Sequence, residues 1–120
     1  MKVVIETIPG DRQRYETAGD YWRDPDGVIQ IRVSEMNNER YAALIAIHEL
    51  IEFLLCDQRG IAEPDIMAFD IAHEGDHEPG EHPDAPYRKE HAFAECIERL
   101  IAHEFGIDWA VYSNAAEATF

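Results

Sequence analysis

The chain has 120 residues, 46% of them hydrophobic, and carries 25 acidic against 10 basic side chains for a formal net charge of −15. That length suits one domain, residues 1–120, with a core of its own; the charge repels phosphate backbones and anionic lipid surfaces, so neither nucleic acid nor membrane is an expected partner, while a peptide or protein is. No apolar run reaches the roughly 20 residues of a spanning helix, and the opening MKVVIETIPGDRQ lacks the long apolar stretch and small-residue cleavage site of a signal peptide, so the expected location is cytoplasmic.

Residues 1–34 are β-rich. KVVIETI is a short strand closed by Pro9-Gly10, RYETAGDYWRD has room for a second, and Asp26-Gly27 turns into VIQIRVS, where Val28, Ile29, Ile31 and Val33 favour extended backbone. A small antiparallel sheet is expected. A helix follows over 38–59, capped by Asn37 or Asn38 and stopped by Gly60. Its middle, AALIAIHELIEFLLC, is apolar around nearly the whole circumference, which predicts a buried central helix. A short helix around Glu63 to Ile71 precedes HEGDHEPGEHPDAP, residues 73–86, a loop by its two glycines and three prolines. The next helix spans 87–105, with Phe93, Ile97, Leu100 and Ile101 as its apolar stripe, and IDWAVYSNAAEATF ends the chain as a short helix and tail. Cys56 and Cys96 fall in apolar helical patterns and read as reduced, buried thiols. The class is α+β, a small sheet packed on a buried helix and a second long helix.

His48, Glu49 and Glu52 interrupt the central helix, and a carboxylate in a dry interior costs several kcal/mol unless it is paired, protonated or bound to a cation. Residues four apart share a helix face, so His48 and Glu52 point together while Glu49 stands beside them. The second helix repeats the spacing with His91 and Glu95. If the two helices pack side by side, His48, Glu52 and His91 form the two-histidine, one-carboxylate set of a zinc site with an open fourth position, and Glu95 is a further ligand that would close it; manganese or iron would accept a larger shell. Glu49 is then placed as the general base of hydrolysis by metal-activated water.

The stretch IQIRVSEMNNERYAALIAIHELIEFLL resembles the strand and active-site helix of zincin-type metallopeptidases, whose HExxH signature takes a third ligand from a later helix, a glutamate in the gluzincin branch. Here the signature is His48-Glu49-Leu50-Ile51-Glu52, with Glu in place of the second His and His91 on the later helix, so the ligand classes are exchanged between helices. The resemblance implies a minimal zincin-like fold, one zinc and Glu49 as general base. The chain also resembles small proteins carried by phages and prophages, which would put it in the host cytoplasm.

Other readings stand beside this one. His48 can be a core histidine bonded to a backbone carbonyl; Glu49 and Glu52 can be solvated, with Glu52 paired to Arg59, Arg88 or Arg99; His91 can be a first-turn surface residue. The loop histidines His73, His77 and His82 suit a solvated loop, a lid or a second metal. His103 lies near the negative helix end, and Tyr87 is either packing or an oxyanion donor. At the level of function, an inactive zincin-like accessory protein that binds a protein partner is one alternative. A magnesium-dependent nucleotide pyrophosphatase using the pairs Glu49/Glu52 and Glu95/Glu98 is another. The substrate is not legible, and a homodimer stays open.

Overall fold

The computed structural model describes residues 1–75 and 78–119. Three strands, β1 (Val3–Ile8), β2 (Gly19–Arg23) and β3 (Ile29–Ser34), make a sheet in the order β1-β3-β2, and four helices follow: α1 (Glu39–Gln58), α2 (Glu63–Ala72), α3 (Arg88–Glu104) and α4 (Trp109–Glu117). Short 3-10 turns lie at Gly10–Arg12 and Pro79–Glu81, the latter inside the loop expected over 73–86. The fold is α+β. No helix among the described residues is long and apolar enough to cross a membrane.

β2 and β3 form an antiparallel hairpin. Its turn is made by Asp24, whose Oδ1 accepts the backbone N–H of Asp26 at 2.9 Å and of Val28 at 3.0 Å, and by Gly27 at φ 83°, a backbone angle that glycine takes without strain. The sheet is not wholly antiparallel as the sequence predicts, because β1 pairs with β3 in parallel, Val3 against Ile29 through Ile8 against Ser34. Parallel neighbours need a crossover. Here residues 9–28 serve as one, with β2 inside it: Pro9-Gly10 opens a 3-10 turn instead of a tight hairpin, and the chain runs past the end of β3. Gln13 Nε2 donates to the Arg32 carbonyl at 3.0 Å, and the buried Ser34 Oγ donates to the Thr17 carbonyl at 2.7 Å. Alternation along β3 sends Ile29, Ile31 and Val33 into the core.

Asn38 caps α1, its side-chain oxygen accepting the N–H groups of Arg40 and Tyr41, and Gly60 at φ 71° ends it. The helix packs on β2, β3 and α3. It buries Leu44, Ile45, Ala46, Phe53 and Cys56 together with His48 and Glu52, but Leu54 is 42% exposed, so the belt is open on one side.

The buried face of α3 differs from the expected stripe. Glu90, His91, Ala94, Glu98 and Ala102 face inward, whereas Phe93 is 54% and Leu100 60% exposed. Cys96 is likewise exposed, not a core thiol; both cysteines are free. The reason is the surface that α1 offers: His48 and Glu52 need polar partners, and Ala94 and Ala102 are small enough to let the helices approach.

Candidate metal centre

Three donor atoms from two helices meet in a triangle. His48 Nε2 lies 2.9 Å from Glu52 Oε2 and 3.2 Å from His91 Nδ1, and His91 Nδ1 lies 3.0 Å from Glu52 Oε2. All three residues are buried. The i,i+4 spacing on α1 supplies two corners, and α3 brings the third because His91 sits in its first turn, beside the C-terminal half of α1. Gly80 permits this, since a Cβ there would lie 2.5 Å from His91 Cγ and Nδ1.

The outer atoms of two corners are held. His48 Nδ1 is 2.7 Å from Glu98 Oε1, and Glu98 Oε2 accepts a short hydrogen bond from Tyr112 of α4. An acceptor-only carboxylate assigns the proton to Nδ1, so a neutral His48 presents a lone pair at Nε2 to the triangle. Tyr21 on β2 donates to Glu52 Oε1 at 3.0 Å, leaving Oε2 for the two imidazoles. In a neutral state the triangle would set a lone pair of His48 against a carboxylate oxygen. A cation or additional protons must sit there.

The protonation behaviour agrees. Burial pushes the pKa of both histidines down, but hydrogen bonds donated to Glu52, and by His48 also to Glu98, outweigh it and raise both above the ordinary imidazole range. Burial pushes Glu52 up, and the two imidazoles overcome that to hold it near 2. The centre retains positive charge against desolvation, by protons where no metal is bound. Donors around a tetrahedral ion with bonds of about 2.0–2.1 Å lie about 3.3 Å apart, close to the three observed edges, and two imidazoles with one carboxylate are a zinc-type donor set.

Glu49 is half-buried beside the triangle, with its carboxylate against β2, where a Cβ on Gly19 would come within 2.8 Å of Glu49 Oε1. Burial first, then the charge of Glu52, raises its pKa well above the ordinary carboxylate value. The surrounding cavity is lined by ten carboxylates and, among the described residues, by no lysine or arginine. Two of these carboxylates, Asp70 and Glu78, are pushed up by burial to about 6 and about 7.

The remaining expectations divide. Glu95 does not join the triangle; it lies near His91 and Glu81 and pairs with Arg99 at 3.6 Å. Among the described residues no arginine pairs with Glu52; Arg59 pairs with Glu90 at 2.6 Å. His48 bonds a carboxylate, not a backbone carbonyl. The Tyr87 hydroxyl donates to Asp70, which Tyr15 also holds at 2.8 Å, so it is tied into packing. His73 stacks on Phe69 at a centroid distance of 4.0 Å and meets His82 at 4.7 Å, while His77 lies outside the described residues. Cys56 Sγ accepts from the Tyr21 hydroxyl at 3.9 Å, and burial pushes its thiol up to about 12. His103 is exposed in the last turn of α3. No group of metal donors among the described residues unites Glu49, Glu52, Glu95 and Glu98.

Glu98, Tyr21, Tyr112 and Gly80 are the site residues that sequence reasoning missed as supports. A signal for Glu98 existed: His91, Ala94, Glu98 and Ala102 recur at helical spacing as a small and polar stripe. No protein-family model, curated protein or solved structure matches the chain.

Proposed function

We propose that this protein is a zinc-dependent hydrolase of peptide or amide bonds with a zincin-like site, acting in the cytoplasm on a peptide or protein. The observation that carries the reading is the buried triangle of His48 Nε2, Glu52 Oε2 and His91 Nδ1, with edges of 2.9–3.2 Å. These residues would hold the ion, which when bound lowers the pKa of a water molecule and polarises a substrate carbonyl. The Glu98–Tyr112 pair keeps His48 in the tautomer that offers Nε2, and Tyr21 orients Glu52. Glu49 takes a proton at its carboxylate oxygen and returns it to the leaving amine, a task suited to a carboxyl group whose proton affinity burial has raised above the ordinary carboxylate value. Manganese or iron would be held by the same three donors.

Anomalous diffraction above and below the zinc edge, on crystals grown without chelator, is expected to place one peak bonded to His48, Glu52 and His91. Glu49→Gln is expected to keep that peak and to lower turnover of a fluorogenic peptide library by about 10²–10⁴-fold. No peak, with the three side chains bonded only to one another, would end the hydrolase reading. A second reading, a non-catalytic protein that binds a protein partner, draws on the exposure of Phe93 and Leu100 along α3. Bound zinc with no turnover in the wild type would favour it.

A further inference from the structure

The three corners of the triangle are not equally supported. Glu98 holds the outer nitrogen of His48 and Tyr21 the outer oxygen of Glu52, but the outer nitrogen of His91, Nε2, is buried without a hydrogen-bond partner among the described residues, on a residue only 7% exposed. A buried ring nitrogen with no partner has given up its hydrogen bonds to water without replacement. Unlike the two satisfied corners, His91 has a second set of donors beside it: one ring nitrogen of its imidazole and one carboxylate oxygen from each of Glu81 and Glu95 lie within 4.8 Å of one another. Glu81 follows directly on Gly80, whose missing side chain lets the 3-10 turn rest on the imidazole, and Glu95 is one helical turn beyond His91 on α3.

We propose that His91 Nε2, Glu81 and Glu95 form a second divalent-cation site, so that one imidazole joins two cations, the inner one held with His48 and Glu52 and the outer one with the two carboxylates. This rests on the inner site of the proposed hydrolase. One nitrogen and two carboxylate oxygens suit zinc or manganese, and exposed Glu81 leaves the outer cation open to solvent. Among the described residues the cationic group on these carboxylates is Arg99, whose Nε lies 3.6 Å from Glu95 in a half-exposed pair of little strength that a divalent ion displaces. A neutral imidazole bound at Nδ1 carries its proton on Nε2, so the outer cation takes the place of that proton, which leaves to solvent.

The test is zinc stoichiometry on the full chain, stripped with chelator, loaded with zinc, freed of excess by gel filtration and read by mass spectrometry. The expected result is two zinc ions per chain in the wild type and one in Glu81→Gln/Glu95→Gln, with calorimetry in buffers of different ionisation enthalpy showing about one proton released by the second equivalent. One zinc in both proteins would overturn the outer site and leave the hydrolase reading intact. None in the wild type would remove both. Two in both proteins, or loss of both ions from the variant, would also overturn the outer site, because the carboxylates would then serve no second site or a single shared one. Circular dichroism checks the fold of the double variant; should it fail, Glu81→Gln alone alters an exposed side chain and is expected to lower second-site affinity at least tenfold.

Discussion

α1 and α3 carry the same His-x-x-x-Glu spacing and use it differently. On α1 both residues reach the triangle, His48 and Glu52 standing side by side at 2.9 Å. On α3 only His91 does; Glu95 lies beside Glu81 and His91, and Glu98, seven residues on from His91, closes the polar face by holding His48. The contrast extends to burial. α1 hides its charged residues among apolar ones, whereas α3 buries glutamate, histidine and alanine and leaves Phe93 and Leu100 in solvent. Equal spacing fixes which residues share a helix face, but the angle at which the second helix meets the first decides which of them arrive.

The largest effect should come from the α1 histidine. His48→Ala leaves Glu52 and Glu98 buried beside one imidazole fewer, so it should cost about 3–5 kcal/mol in denaturant unfolding and abolish inner-site zinc; a variant with wild-type zinc content would remove the metal assignment. Next is the α3 side of the same contact. Glu98→Gln preserves shape but no longer fixes the His48 tautomer, and zinc affinity should fall about 10–100-fold in competition titration with a chromophoric chelator. An unchanged affinity would mean that Glu98 merely packs.

The pH dependence of the metal-free protein should be smaller in size. His48, His91, Asp70 and Glu78 all have folded-state pKa values above their unfolded ones, so each contributes stability that is complete below the unfolded pKa and is lost as pH rises through the folded value. Glu52 acts in the opposite sense: held near 2 against an ordinary 4.5, it stabilises above 4.5 and is lost as pH falls toward 2. With chelator present, the melting temperature should therefore peak near about pH 5 and decline toward about pH 8, while saturating zinc, whose ligands must lose protons, should reverse that decline. A metal-free melting temperature that climbs from pH 5 to pH 8 would contradict the charge balance of the site. The smallest effect tests the inverted face of α3. Leu100→Ser should change stability by no more than about 0.5 kcal/mol, whereas Ala102→Leu, into the packed face, should cost about 1–3 kcal/mol; equal costs would restore the apolar stripe as the buried one.

Much of this was legible in the residues. The bounds of α1 follow from Asn38 and Gly60, β3 from its alternation, and the pairing of His48, Glu52 and His91 from the impossibility of leaving charge unpaired in an apolar helix. The parallel pairing of β1 was not legible, because the route of residues 9–18 depends on where Ser34 and Gln13 find hydrogen-bond partners. Nor was the orientation of α3. Hydrophobic periodicity assumes that the apolar face is the one removed from water, and that holds only where the partner surface is apolar. The sequence alone determined that this chain is an α+β domain in which the charges of His48 and Glu52 need partners, since desolvation of a carboxylate is a property of the residue and its neighbours in the helix. Which second-helix residues answer that need, Glu98 in place of Glu95, and why His91 keeps Nε2 without a partner among the described residues, only the tertiary structure decided, because those contacts are set by the rotation of one helix against another and by Gly80, which lets a turn close over the His91 ring.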